Sequence, residues 1–208
     1  MTPVVLASNN AKKLAELQRI LAPLVPGVEV LGLGDVARYD EPAETEATFE
    51  GNALIKARAA LAATGLPSLA DDSGLCVDEL HDMPGVLSAR WSAGVVTPGS
   101  ERSVVDATNN RLLLGQLGDV PDERRRARFR CVVALCVPGG VEVVESGEMT
   151  GRILREERGA GGFGYDPLFA ADGHEVSTAE LSVEDKDRIS HRGEALRRIA
   201  PHVARVLS

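Results

Sequence analysis

Residues 3–21, PVVLASNNAKKLAELQRIL, contain the pattern that decides how the fold begins. The apolar run from Pro3 to Ala7 is long enough for one short strand, and it stops at the polar residues Ser8-Asn9-Asn10. Beyond that stop, apolar side chains recur at the spacing of a helix, at Leu14, Leu17, Ile20 and Leu21. The stretch therefore predicts a strand, a helix cap and an amphipathic helix.

The rest of the chain continues with elements of both kinds. Next we predict a strand at 28–31, a loop at 35–46, a helix at 48–64 that stops at Gly65, and a strand at 67–70. Later elements are a helix ending near 117, a hairpin of strands 129–137 and 141–148, and an amphipathic helix at 194–207. The strand at 67–70 would deliver Asp71 and Asp72 to its carboxyl end, where site residues often lie.

Length and composition limit the class of protein. The chain has 208 residues, 44% of them hydrophobic and 26% charged, so we expect residues 1–208 to form one domain with one sizeable core. A formal net charge of −8 opposes binding to a polyanion, so nucleic acid is not an expected partner.

The N-terminus does not have the pattern of a secretory signal, and no run approaches the ~20 apolar residues of a membrane span. We therefore expect a cytoplasmic protein without membrane contact, and its three cysteines should be buried, reduced thiols.

The predicted turn before the first helix has the chemistry of an anion site. A helix that begins after a strand presents free backbone N–H groups and the positive end of its dipole. Asn9 or Asn10 can cap this helix, and Lys12 and Lys13 add positive charge. The alternative is an ordinary surface cap whose lysines are solvated. The GxxxxGK(S/T) pattern of a P-loop does not occur in the chain.

Two acidic segments are candidates for a metal site. Asp71 and Asp72 are adjacent in extended chain, so their side chains should point to opposite sides and only one can face a given site. Magnesium prefers one or two carboxylates together with phosphate oxygens and water. Glu44, from a different loop, is the candidate second ligand. The alternative is that Asp71-Asp72-Ser73-Gly74 is a turn and that Glu44 is solvated.

Two further segments have the chemistry of a purine-reading site. In Phe163-Gly164-Tyr165-Asp166-Pro167 an aromatic ring beside glycine can lie flat against a base. In Ser190-His191-Arg192-Gly193 a histidine beside an arginine offers hydrogen-bond donors. The alternatives are aromatic rings that only pack into the core, and a solvated first turn of a helix in which positive charge opposes the dipole.

Together these segments resemble the inosine triphosphate pyrophosphatase family, and in particular its bacterial members. Enzymes of that family clear deaminated or otherwise non-standard purine nucleoside triphosphates. The resemblance runs nearly end to end and rests on SNNAKK at 8–13, TFEGNA at 48–53, ADDSGL at 70–75, PGVLSARWSAG at 84–94, RARFRC at 126–131, GGFGYDP at 161–167, AEL at 179–181 and ISHRGEAL at 189–196.

The resemblance implies a site. Asp72 would hold Mg²⁺ and act as the acidic catalytic residue, orienting or deprotonating the attacking water, and Glu44 would be the second metal ligand. The chain departs from the family pattern on both sides of Glu44, at Ala43 and Glu46, where relatives often carry an acid and a glycine. Substrate contacts are implied for Ser8, Asn9, Asn10, Ala11, Lys12, Lys13, Ser73, Phe163, Gly164, Tyr165, Asp166, Lys186, His191 and Arg192.

The resemblance also implies a fold, a reaction and a substrate class. The family fold is an elongated α/β protein with a mixed, strongly bent sheet in two lobes and a cleft between them, and its members are typically homodimers. The reaction would convert ITP, dITP and XTP to the monophosphate and pyrophosphate. Donors from Arg192 or His191 would pair with the oxygen at the purine six-position, where adenine has an amino group.

Two other functions are compatible with the same residues. One is a related pyrophosphatase acting on modified pyrimidine or methylated nucleoside triphosphates. The other is a non-catalytic nucleotide-binding regulator, which would bind inosine triphosphate without consuming it. Magnesium-facing acids favour an enzyme over a regulator, since a sensor does not require them.

Overall fold

The structure describes residues 3–36 and 38–207, without the side chain of Lys12. The computed structural model places strands at Val4–Leu6 (β1), Val30–Leu31 (β2), Ser68–Val77 (β3), Arg126–Val137 (β4), Val141–Ile153 (β5) and Phe169–Ala171 (β6). The α-helices are Ala11–Leu24 (α1), Phe49–Thr64 (α2), Arg102–Gln116 (α3), Val183–Ile189 (α4) and His191–Leu207 (α5).

The six strands form a mixed sheet in the order β2-β1-β3-β4-β5-β6. β1 pairs in parallel with both β2 and β3, whereas β5 and β6 pair antiparallel. Parallel neighbours need a crossover connection, and α1 and α2 supply the helices of those crossovers. The mixed sheet with its helices confirms the predicted α/β fold class.

The chain divides into two compact units. The first unit comprises the residues up to Asp72, residues Cys131–Glu148 and those from Ile189 onward. The second comprises Ser73–Arg130 and Met149–Arg188. β3, β4 and β5 each contribute residues to both units, so neither unit is a continuous segment of sequence.

Helices α1 and α5 pack against each other and carry much of the core of the first unit. The apolar stripe predicted for α1 is buried at Leu17, Ile20 and Leu21. The stripe of α5 is buried as well, at Leu196, Ile199, Val203 and Leu207. Burying a side chain of this size contributes roughly 1.5–3 kcal/mol, so the two stripes account for the association of the helices.

Local signals at both ends of α2 set the bounds that the sequence predicts. The hydroxyl of Thr48 accepts a hydrogen bond from the N–H of Gly51 at 3.1 Å and so caps the first turn. At the other end Gly65 has φ 68°, in the left-handed region that glycine adopts without strain, and its N–H donates to the carbonyl of Leu61.

β3 is longer than the sequence predicts. The predicted strand at 67–70 ends just before Asp71, but β3 runs over Ser68–Val77, so both aspartates lie within the strand and not at its end. Asp-Asp-Ser-Gly has the composition of a turn. Burial overrides that composition here, because the residues that follow, Leu75-Cys76-Val77, are buried and continue the strand.

The second unit contains elements that the sequence did not reveal. β6 has only three residues, and α4 (VEDKDRI) has no buried residue, so neither has an apolar period to detect. The aromatic rings of Phe129 and Phe169 meet edge to face, with centroids 4.8 Å apart. The predicted hairpin is present as β4 and β5, which extend beyond the predicted ends at residues 129 and 148.

Two further sequence expectations can be compared with the structure. Cys76, Cys131 and Cys136 are buried and free, as expected. Among the described residues, no helix combines the length and the apolar character that crossing a membrane requires.

Candidate active site

The residues predicted to bind substrate or metal fall into two groups, one in each unit. The first unit carries residues 8–13, Glu44, Asp72, His191 and Arg192. The second carries Ser73, residues 163–166 and Lys186. Ser73 is half-buried on β3.

Asn10 caps helix α1. Its side-chain oxygen accepts a hydrogen bond from the N–H of Lys13 at 3.2 Å, and its own N–H donates to the hydroxyl of Ser8 at 3.2 Å. Of the two asparagines that the sequence offers as a cap, the structure therefore selects Asn10. Asn9 and Ala11 are exposed beside it. Lys12 belongs to the first turn, but its side chain lies outside the described part of the structure.

Asp71 lies at the centre of a buried charge network. Its Oδ2 is 2.8 Å from Nζ of Lys13 and 3.4 Å from Nε of Arg192, and Sγ of Cys131 lies 3.9 Å away. Burial works to raise the pKa of Asp71, but Lys13, Arg192 and Lys56 outweigh it and hold the pKa well below its usual range. Asp71 is therefore a permanent anion that fixes the ammonium group of Lys13 beside the capped turn.

His191 and Arg192 are both buried at the start of α5, just after Ser190. Nη1 of Arg192 donates to Oε2 of Glu16 at 2.6 Å, and its Nε faces Asp71. Burial works to lower the pKa of Arg192, but the two carboxylates raise it. The guanidinium group thus ties α5 to α1 and β3, and its proposed contact with a base stays a prediction.

Asp72 has different neighbours from Asp71, as expected for adjacent residues of a strand. Its Oδ2 accepts a hydrogen bond from Nδ2 of Asn52 at 3.2 Å, and its Oδ1 lies 3.5 Å from Nζ of Lys56. Lys56 also donates to Oε1 of Glu44 at 2.8 Å. Burial raises the pKa of Asp72, and the negative charge of Glu44 adds to that effect, although Lys56 opposes it.

Glu44 and Asp72 suit a magnesium ion by their chemistry. Both present hard carboxylate oxygens to one cation, the ammonium group of Lys56. Among the described residues no group of three or more His, Cys, Asp or Glu side chains could hold a metal. Magnesium does not require one, because phosphate oxygens and water complete its six ligands.

In the second unit Asp166 organises the glycine-rich segment. Its Oδ2 accepts from the N–H of Phe163 at 2.8 Å and from Nζ of Lys186 at 2.5 Å, and its Oδ1 accepts from the hydroxyl of Thr178 at 3.0 Å. Lys186 also lies 5.5 Å from the centre of the half-buried Phe163 ring, within the range of a cation–π contact. A Cβ at Gly162 would come within 2.1 Å of that carboxylate, so only glycine fits there.

Gly164 and Tyr165 are held by other parts of the same unit. The N–H of Gly164 donates to Oδ2 of Asp106, and its carbonyl accepts from Nδ2 of Asn110. The hydroxyl of Tyr165 donates to the carbonyl of Ser88 at 3.0 Å. Burial raises the pKa of Tyr165 far above its usual value, so this hydroxyl stays neutral and remains a donor. Tyr165 is thus a packed residue, whereas Phe163 keeps part of its ring accessible.

Comparison with known proteins identifies the family to which these residues belong. A sequence model described as the Ham1 family matches residues 4–202. The chain belongs to the Ham1 family. This membership confirms the resemblance on which the site residues were predicted.

Relatives within the Ham1 family are similar over nearly the whole chain. A dITP/XTP pyrophosphatase of Nocardia farcinica is 60% identical over 205 residues, which are 98% of this chain and 96% of the relative. One from Frankia alni is 56% identical and covers 99% of this chain and 98% of its own. The crystal structure of a nucleoside-triphosphatase, or dITP/XTP pyrophosphatase, from Mycobacterium abscessus matches with a TM-score of 0.76 at 52% identity, over 96% of this chain and 99% of that one.

Several residues of this Ham1-family chain that contact predicted site residues did not stand out in the sequence. Asn52 and Lys56 lie four apart on α2, so both face the same side. A polar pair at that spacing inside an otherwise apolar stripe is a signal that could have found them. Glu16, Asp106 and Asn110 have no such signal, because their partners are distant in sequence.

Proposed function

We propose that this protein hydrolyses non-standard purine nucleoside triphosphates (ITP, dITP and XTP) to the monophosphate and pyrophosphate, with Mg²⁺ as cofactor. The observation that carries the proposal is the contact of Lys56 with both Glu44 and Asp72, in the unit that also holds the turn capped by Asn10. Two acids, neighbouring cations and the positive end of a helix dipole suit a magnesium-bound triphosphate. The relatives named dITP/XTP pyrophosphatase support the choice of substrate.

The proposed reaction breaks the bond between the α-phosphorus and the oxygen that bridges it to the β-phosphorus. A water oxygen forms the new bond to the α-phosphorus and gives a proton to a base, and pyrophosphate leaves with the electron pair of the broken bond. Lys13 and the N–H groups at the start of α1 would stabilise the charge that develops on the phosphates. When bound at Glu44 and Asp72, magnesium would add positive charge at the phosphate oxygens.

Asp72 is the residue of choice to orient the attacking water and accept its proton. Without a bound metal, burial raises the pKa of Asp72 whereas the pKa of Asp71 is lowered, so Asp72 binds a proton more readily of the two. A bound magnesium ion would lower the pKa of Asp72, and its orienting of the water would then matter more than its uptake of a proton. Nδ2 of Asn52 fixes one carboxylate oxygen, which leaves the other oxygen to face Lys56 or a cation in its place.

Residues 163–166 would lie against the base. Phe163 offers a partly accessible aromatic face, and Asp166 holds both the N–H of Phe163 and the ammonium group of Lys186. Hypoxanthine and xanthine carry an oxygen at the six-position, whereas adenine carries an amino group. A donor from Arg192, His191 or the backbone would pair with the first and be opposed by the second, and an unpaired buried donor rejects the wrong substrate by up to ~10⁴-fold.

A panel of nucleotides tests the function directly. Purified protein with Mg²⁺ should convert ITP, dITP and XTP to monophosphate plus pyrophosphate, with ATP turned over far more slowly. Release of orthophosphate and a diphosphate would refute the proposed bond cleavage. Preferential turnover of modified pyrimidine triphosphates would favour the related pyrophosphatase, and binding without turnover would favour a regulator. Omitting Mg²⁺ should abolish turnover.

The family resemblance also leads us to propose that residues 1–208 act as one domain and that the protein is a cytoplasmic homodimer. The match of one family model to residues 4–202 supports a single functional domain. Sedimentation at several concentrations tests the dimer. Negligible retention on DNA, RNA and lipid vesicles would agree with the formal net charge of −8, which disfavours polyanions.

A further inference from the structure

Helix α3 holds Gly164 by both polar groups of its backbone. Oδ2 of Asp106 accepts a hydrogen bond from the N–H of Gly164 at 3.0 Å, and Nδ2 of Asn110 donates to its carbonyl at 3.2 Å. Asp106 and Asn110 are four residues apart, so their side chains leave the same face of the helix. We call this pair of hydrogen bonds the Gly164 clamp. Neither peptide plane next to Gly164 can rotate without breaking one of them.

The clamp requires opposite chemistry at its two ends. Position 106 must accept a hydrogen bond, and position 110 must donate one. Asn110 is 3% exposed, and its Oδ1 is buried without a hydrogen-bond partner in the described part of the chain. The carbonyl of Gly164 needs a hydrogen-bond donor at this place, because a buried carbonyl without one is unfavourable. The donor to Gly164 is the feature that the amide provides.

Further hydrogen bonds connect the clamp to the segment 85–92. Asn109, the residue beside Asn110, accepts from the N–H of Ser92 at 2.8 Å and donates to the carbonyl of Ser88 at 3.3 Å. The hydroxyl of Tyr165 donates to the same carbonyl. Gly164 and Tyr165 are therefore held, directly and through Ser88, by one helix of the second unit.

We propose that Asp106 and Asn110 are positioning residues that set base selectivity through Gly164, by fixing the backbone that carries Phe163 and Tyr165. The inference rests on the proposed function, in which residues 163–166 contact the base. Discrimination between a six-oxo and a six-amino purine depends on hydrogen bonds to the six-position. A hydrogen bond weakens steeply when its donor and acceptor are displaced from the preferred distance and angle. The contacts to the phosphates are the same for every substrate. Loosening the clamp should therefore change the preference between purines more than it changes the cleavage of the triphosphate.

Four variants of α3 test the clamp. Asn110→Asp keeps the shape but turns an oxygen toward the carbonyl of Gly164, and Asp106→Ala removes the acceptor. Asp106→Asn keeps an acceptor oxygen and should retain most of the selectivity. Thr108→Val is the matched control, since the hydroxyl of Thr108 donates within the helix, to the carbonyl of Val104. We expect the ratio of kcat/KM for ITP to that for ATP to fall about tenfold in Asn110→Asp and Asp106→Ala, the equivalent of one lost hydrogen bond, and to stay unchanged in Thr108→Val.

Two readouts separate the possible outcomes. If the residues only stabilise the fold, kcat/KM for both nucleotides will fall by the same factor and the ratio will stay constant, which overturns the proposal. Amide hydrogen exchange at residues 163–166 tests the clamp without activity, and it should accelerate in Asn110→Asp and Asp106→Ala but not in Thr108→Val. Faster exchange with an unchanged ratio would also overturn the role in selectivity. A wild-type protein that turned over ITP and ATP equally would refute the proposed function, whereas unchanged exchange in the variants would refute only the clamp.

Discussion

The two groups of predicted site residues are held in place by different kinds of interaction. In the first unit the aspartates of β3 are fixed by charge, with Lys13 and Arg192 against Asp71 and Lys56 against Asp72. In the second unit the residues 163–166 are fixed mainly through their backbone, by Asp166 itself and by the Gly164 clamp.

The difference separates two tasks of a nucleotide hydrolase. Buried charges depend on one another, because removing one leaves its partner unpaired in a low dielectric. A change at Lys13, Lys56 or Asp72 should therefore affect every substrate that carries a triphosphate. Hydrogen bonds to the backbone fix the conformation of residues 163–166, so a change in the second unit should affect the choice between bases. Substitutions at the buried charges of the first unit test the first half of this contrast, and the α3 variants test the second.

The largest expected effect is on stability, from Arg192→Ala. This change leaves the buried carboxylates of Glu16 and Asp71 without the guanidinium that both contact. Breaking a buried ion pair in this way typically costs about 3–5 kcal/mol. Urea unfolding at neutral pH measures the loss, provided that the variant still folds cooperatively.

An ion pair on the same helix provides the matched control. Nη2 of Arg198 lies 2.6 Å from Glu194, and half of the Arg198 side chain is exposed. Arg198→Ala should therefore cost at most about 1 kcal/mol. Equal losses for the two variants would show that Arg192 contributes no more than a surface arginine, and the charge network would then not be what holds the first unit together.

The next effect is on chemistry, from Asp72→Asn. Asparagine keeps the shape, so the fold should persist, but the site loses one negative charge and its proton acceptor. We expect kcat for ITP to fall by at least ~100-fold at saturating Mg²⁺. Asp172→Asn serves as a control, because Asp172 forms an exposed ion pair with Arg126. An unchanged kcat in Asp72→Asn would exclude the catalytic role.

The sequence predicts those parts of the fold whose signals are local. The stripe of α1 and the stop of α2 at Gly65 each depend on residues that are close in sequence, and each lies where it was predicted. β3 shows where local reading fails. Its turn-like DDSG segment stays in the strand because the buried residues on both sides continue it, and only the folded sheet supplies that burial.

The same division applies to the candidate site. The segments at 8–13 and 163–166 can be recognised in the sequence because the predicted site residues of each segment are adjacent in the chain. Lys56 becomes notable only when α2 places it beside Glu44 and Asp72. Contacts that join distant parts of the chain follow from packing, which is why sequence spacing did not predict them.

The smallest expected effect contrasts the two aspartates of β3 through the pH dependence of stability. Asp71 has a pKa below its ordinary 3.8 in the folded protein, because Lys13, Arg192 and Lys56 outweigh its burial. Its contribution to stability is thus present above pH 3.8 and is lost as the pH falls through the folded pKa. Asp72 has a raised pKa, chiefly from burial, so its ionisation lowers stability as the pH rises above 3.8.

The destabilisation caused by each of the two substitutions should therefore change with pH in opposite directions. The destabilisation caused by Asp71→Asn should grow as the pH rises toward 3.8, because the wild type gains a stabilising anion that the variant cannot form. The destabilisation caused by Asp72→Asn should shrink as the pH rises above 3.8, because only the wild type acquires an unfavourable buried charge. The free energy of unfolding of each variant, measured by urea at a series of pH values without Mg²⁺, decides the matter. If the destabilisation of both variants changed with pH in the same direction, the adjacent aspartates would share one electrostatic environment. The assignment of Asp72 rather than Asp71 as proton acceptor would then lose its basis.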